Sequence, residues 1–187
     1  HLRLVLEQSV PESAAQKVAG WAMAAMGATD REDWRFEVAA LRPTLRPLQG
    51  APGEDAAWTR LGQVLRRCGG GPQDVLVLVM NQHLVAGSEA SRGLADAHGL
   101  AVSETGMHEA AMRPLRREFP RPVPPFVLLG LEPLAKAPSA LAVGVVGHEL
   151  GHALGLPHTA SPANMMGPPR SNCVPGWSEE QRRALLR

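Results

Sequence analysis

The chain has 187 residues, 44% of them apolar and 20% charged, with a formal net charge of +1. That length suits one domain with a real core, or two small lobes sharing a cleft, and the near-neutral charge argues against nucleic acid or an anionic membrane as the main partner. No apolar run reaches the roughly 18 residues that a membrane-spanning helix needs.

In chain order, Leu2, Leu4 and Leu6 alternate with Arg3 and Glu7, the pattern of a half-buried strand. Ser9-Val10-Pro11-Glu12 has the form of a capping box and predicts a helix to about Met26, stopped by Gly27. Trp34, Phe36 and Val38 predict a second strand. Residues 43–53 are rich in Pro and Gly and predict a loop. A helix is expected over Asp55–Arg67, with Leu61, Val64, Leu65 and Cys68 on one face and Gly69-Gly70-Gly71 ending it. The continuous apolar run Val75–Met80 reads as a strand buried on both faces. Gly99–Ser103 reads as a short edge strand, 120–125 as a loop, and Phe126–Leu131 as another central strand. Ser139 is placed to cap a strongly apolar helix running to about Leu154. After His158 the chain reads mostly as loop, until Ser178-Glu179-Glu180-Gln181, a second capping box, opens a short terminal helix. This order predicts a mixed sheet with helices packed on it.

The chemistry lies in 148–158. His148 and His152 are four apart, so on a helix their imidazoles share a face one turn apart and can reach one ion. Zinc takes His nitrogen at about 2.0–2.1 Å, and catalytic sites use three protein ligands with a fourth position left open. Glu149 lies roughly 100° round the same helix, placed for water at the metal rather than for the metal. Gly155 tolerates the left-handed conformation that ends helices, and Pro157 prevents continuation. His158 can then turn back to the same ion. The order ligand, base, ligand, turn, ligand predicts a zinc-dependent endopeptidase with metal ligands His148, His152 and His158 and Glu149 as general base. Three rivals stand beside it. One is a structural zinc site, which would need a fourth ligand. Another is a thermolysin-like arrangement with Glu179 or Glu180 as third ligand. The last is a non-catalytic zinc-binding module of the same fold.

The segment His148-Glu149-Leu150-Gly151-His152-Ala153-Leu154-Gly155-Leu156-Pro157-His158 resembles the metzincin clan of metalloproteases at every defined position of its H-E-x-x-H-x-x-G-x-x-H signature. The stretch from His158 to Pro168 is similar to the Met-turn region of matrixins, where the Met lies eight residues after the third His. The resemblance therefore selects Met166 over Met165 and implies an apolar floor beneath the metal. It further implies an α+β fold with an α/β-like upper lobe: a mixed, mostly parallel twisted sheet with an antiparallel edge strand, a long active-site helix and a small loop-rich C-terminal lobe ending in a helix. Residues 1–187 would form one catalytic domain, with 1–158 as N-terminal lobe and 159–187 as C-terminal lobe. The edge strand, here Gly99–Glu104, would hold a protein or peptide substrate as an added extended strand.

The chain also departs from matrixins. Pro168 is kept from their Pro-x-Tyr pocket motif, but Arg170 stands in place of Tyr, so both remain pocket candidates without an implied specificity. With no Tyr anywhere, the metal-proximal Tyr of astacin-like and serralysin-like relatives is absent. His83, His98 and His108 are scattered and form no second zinc segment, and no acidic loop for Ca2+ is evident. Arg67-Cys68-Gly69 resembles the matrixin propeptide switch but sits in the wrong place for one. Cys68 and Cys173 are a candidate disulfide, with two free thiols as the alternative. The start, His1-Leu2-Arg3-Leu4, has neither an initiator Met nor a signal-peptide pattern, and we expect a trimmed, secreted or extracytoplasmic monomer.

Overall fold

Leu2–Leu6 (β1), Val75–Met80 (β3) and Phe126–Gly130 (β5) are apolar along nearly their whole length, and they lie side by side and parallel in one sheet. Phe36–Leu41 (β2) pairs parallel with β1, and Gly99–Val102 (β4) runs antiparallel along β5. Among the described residues the sheet has five strands in the order β2-β1-β3-β5-β4. The structure is a computed structural model. It describes residues 2–6, 10–27, 36–41, 63, 66–67, 74–80, 99–102, 117, 125–168 and 173–185, with the backbone alone at 36–41, 80 and 99–102.

Register explains why these strands stay together. Leu4 lies beside Val77, which lies beside Val127; Leu6 lies beside Val79, which lies beside Leu129. These rows share one face and join a single apolar cluster with the helices. Val5, Leu76, Leu78, Phe126 and Leu128 alternate with them and are buried as well. The half-buried reading of β1 is thereby corrected. Leu2, Leu4 and Leu6 on one face and Val5 on the other are all buried, and Arg3, the polar residue that suggested a solvent side, lies 3.6 Å from Asp74.

Three helices pack on this sheet or on each other. Glu12–Gly27 (α1) buries Ala14, Ala15, Val18, Ala19, Ala22, Ala25 and Met26, a stripe at helical spacing. Leu131–Lys136 (α2) was not anticipated; it is a single short helix with Leu131 and Leu134 buried and an exposed Lys136–Glu132 ion pair. Ser139–Ala153 (α3) is buried continuously from Leu141 to Gly151, as its all-round apolar sequence requires. Ser139 is the first helical residue rather than the cap; Pro138 holds the cap position, with no side-chain capping bond. Likewise α1 begins at Glu12, and Ser9 of the proposed capping box lies outside the described residues.

Glu179–Leu185 (α4) forms as expected. Ser178 Oγ accepts the Gln181 N–H, and Gln181 Oε1 accepts the Ser178 N–H, a reciprocal capping box. Of the helix expected at 55–67, only Gln63, Arg66 and Arg67 are described, and they are helical. Cys173 is exposed with a free thiol, and Cys68, the partner expected for it, lies outside the described residues. No helix among the described residues is long and apolar enough to cross a membrane.

α1 and α3 meet closely at Gly147. A Cβ there would lie 2.9 Å from Ala25 Cβ and 2.5 Å from Met165 Sδ. Gly20 in α1, by contrast, has nothing among the described residues within 4 Å of such an atom. Ala is a better helix former than Gly by about 1 kcal/mol, but overpacking a filled core costs about 1–3 kcal/mol, and Ala25 has no rotamer with which to yield. Urea denaturation of metal-free protein is therefore expected to show Gly20→Ala stabilised by about 0.5–1 kcal/mol and Gly147→Ala destabilised despite the same chemical change. A gain in both variants would contradict the packing described.

Candidate metal centre

The site begins where α3 ends. Gly155 has φ +87°, the left-handed value expected of it. Its N–H donates to the His152 carbonyl at 2.9 Å, and the Leu156 N–H donates to the Gly151 carbonyl at 2.9 Å. These two bonds are the Schellman pattern that closes a helix and reverses the chain. Leu156 is buried, which anchors the reversal. His158 returns as a result, and its neighbour Thr159 donates its N–H to the Met166 carbonyl at 2.9 Å.

The three imidazoles converge. Nε2 of His148, His152 and His158 are separated by 3.1, 2.8 and 3.2 Å. The other ring nitrogens show why this is informative. His148 Nδ1 lies 3.0 Å from the Met165 carbonyl oxygen, and His152 Nδ1 lies 2.9 Å from the Leu156 carbonyl oxygen. A carbonyl oxygen can only accept, so each Nδ1 carries the proton and donates it. In the neutral rings both Nε2 atoms are then bare lone pairs aimed at one point. Lone pairs held this close repel unless an electrophile lies between them.

Zinc ligands at about 2.0–2.1 Å in tetrahedral geometry stand about 3.3 Å apart, close to the separations found. Three neutral imidazoles are a donor set that zinc favours. His148 is buried, His152 partly buried and His158 exposed, so the group is open on one side. Among the described residues no further His, Cys, Asp or Glu joins it. Glu179 is exposed on α4 and paired with Arg183, and Glu180 is exposed too. Neither joins the histidines, which removes the basis for the thermolysin-like alternative.

Both methionines of the following turn, Met165 and Met166, are buried against α3. Met165 packs on Gly147, and Met166 packs on Gly151 with Trp177 beside it. Sequence resemblance singled out Met166; it missed that Met165 holds His148 through its carbonyl. Also missed were Leu156 as the partner of His152, and the amide pair Asn164–Gln181 that braces the turn. The spacing of Gly147 and Gly151, four apart on one helix face, was the available signal that something must approach α3 closely. Trp177 Nε1–H donates to the Ala25 carbonyl at 2.8 Å, tying the C-terminal segment to the last turn of α1. Glu149 is buried on α3 directly after His148. Pro168 is exposed just beyond the turn, while Arg170, His83, His98 and His108 lie outside the described residues.

No protein-family model matches the chain, and no curated protein matches it. Solved structures do match in fold. A zinc-dependent peptidase from Methanocorpusculum labreanum (strain Z) superposes with a TM-score of 0.51 at 18% identity, covering 99% of this chain and 100% of that one. Archaemetzincin from Methanopyrus kandleri gives a TM-score of 0.57 at 15% identity, covering 100% of this chain and 97% of that one. Metalloproteinase-II from Bacteroides fragilis gives 0.53 at 10% identity, covering 99% of this chain and 51% of that one. The chain thus shares its fold with zinc-dependent peptidases and carries a histidine triad able to hold a single zinc ion.

Burial pushes the His152 imidazole from 6.5 down to about 4, with His148 and then His158 adding to the shift and the bond to Leu156 opposing it. An unfolded chain takes up this proton near 6.5 and the folded chain only near 4, so in between the unfolded state binds more protons and stability falls as pH falls. Denaturant titrations of chelator-treated protein are expected to lose stability progressively from pH 6.5 toward pH 4 and to change little from this group above pH 6.5. A flat profile through that window would contradict the assignment.

Proposed function

We propose that the chain is a zinc-dependent endopeptidase of the metzincin type, with His148, His152 and His158 as ligands and Glu149 as general base. The observation that carries this reading is the convergence of three Nε2 atoms, two of which, on His148 and His152, are left bare because backbone carbonyls hold the protons on the opposite nitrogens. The likeness in fold to zinc-dependent peptidases supports it. The eight-residue step from His158 to Met166 supports a matrixin-like placement within the clan.

Bound zinc supplies Lewis acidity, which polarises a scissile carbonyl and acidifies water toward a pKa of about 7. The residues do the rest. The Nδ1–H bonds keep the rings of His148 and His152 oriented and their Nε2 atoms basic. Glu149 takes a proton from the attacking water and returns it to the leaving amine nitrogen. The exposed side, at His158, is where substrate enters. Among the described residues β4 is the last strand in the sheet order and α3 packs against it, so an extended peptide added along its outer edge would run beside the helix that carries the ligands.

Two substitutions test the reading on purified protein with a peptide library and metal analysis. Glu149→Ala is expected to keep its zinc and lose at least about 100-fold in cleavage rate; near-normal turnover would refute the assigned base. His158→Ala is expected to lose zinc. Full zinc retention by that variant would point to a different third ligand.

A further inference from the structure

The turn 164–166 has to present the Met165 carbonyl to His148, and its own support comes from far along the chain. Asn164 Nδ2 donates to Gln181 Oε1 at 2.8 Å, and Gln181 Nε2 donates back to Asn164 Oδ1 at 3.0 Å. Each oxygen also accepts a backbone N–H: Asn164 Oδ1 from Met166 at 2.9 Å, Gln181 Oε1 from Ser178 at 2.9 Å. Backbone N–H groups only donate, so both amide oxygens must face them, and neither side chain can flip without setting donor against donor. Both oxygens use both lone pairs. Gln181 is buried and held by the Ser178 cap. Backbone bonds complete the brace: Met165 N–H to the Gly176 carbonyl at 2.7 Å and Gly176 N–H to the Ala163 carbonyl at 3.0 Å.

We propose that Asn164 and Gln181 are positioning residues of the metal centre: their paired amides lock the turn so that the Met165 carbonyl holds the His148 Nδ1 proton and leaves Nε2 directed at the metal. The pair touches neither metal nor substrate. It acts on the ligand through one peptide unit, the kind of outer support whose loss weakens metal binding by about 10- to 100-fold. The inference rests on the zinc reading above.

The test uses the full chain loaded with zinc or cobalt(II), the visible spectrum of the latter reporting ligand geometry. Asn164→Ala and Gln181→Ala are each expected to remain folded by circular dichroism, to bind zinc about 10- to 100-fold more weakly, and to shift the cobalt spectrum. Because the two act as one unit, the double variant is expected to add little to either single change. Leu185→Ala is the control, since the apolar side chain of Leu185 is buried at the end of the same helix. It is expected to lower thermal stability without moving the cobalt spectrum. Amide variants that lose stability like Leu185→Ala while keeping wild-type zinc affinity and spectrum would overturn the proposal and leave the metal reading intact. A wild-type chain that binds neither zinc nor cobalt, or binds them unchanged after His148→Ala, would overturn both.

Discussion

Two backbone carbonyls, those of Met165 and Leu156, set the chemistry of this molecule by taking the Nδ1 protons of His148 and His152. Once those protons are placed, the Nε2 lone pairs have nowhere to point but at each other and at His158. Two electron-rich nitrogens, Nε2 of His148 and His152, are held 3.1 Å apart by the fold. That arrangement is costly without a cation and favourable with one, which makes the site a consequence of backbone placement as much as of histidine content. Burial, and then the neighbouring His148 imidazole, disfavour a charged His152 ring and so depress its affinity for protons.

The two carbonyls come from different devices. Leu156 belongs to the turn that closes α3, so the bonds that end the helix also orient its last ligand. Met165 belongs to a turn that must pass directly beneath α3, and this is where the glycines matter. Gly147 and Gly151 leave room for Met165 and Met166 against the helix, and Ala25 of α1 completes the same narrow space. The sheet sets the position of everything above it through rows such as Leu6, Val79 and Leu129, on which the two long helices rest. Trp177 and the Asn164–Gln181 pair then tether the C-terminal segment to that frame.

Much of this was readable from the chain because the informative residues are close in sequence. His148, His152, Gly155 and His158 fall within eleven positions, so helical periodicity and one left-handed glycine were enough to bring the triad together. Strands β3 and β5 announced themselves as unbroken apolar runs, and the capping box at Ser178 is a local pattern that forms locally. β1 misled because alternation signals a solvent face only if one exists; a charged residue with a partner, Arg3 beside Asp74, mimics it. The short helix Leu131–Lys136 was invisible because six residues are too few for a period to show.

The ligand set and the means of reversing the chain onto it were thus decided locally, by side-chain type and spacing along one helix and its end. Which carbonyl meets each imidazole, which methionine lies where, and what braces the turn were decided by contacts spanning as many as 152 residues, as between Trp177 and Ala25. Spacing cannot encode such contacts, because they depend on how closely two surfaces pack, and that distance is set only when helix, sheet and C-terminal segment have come together.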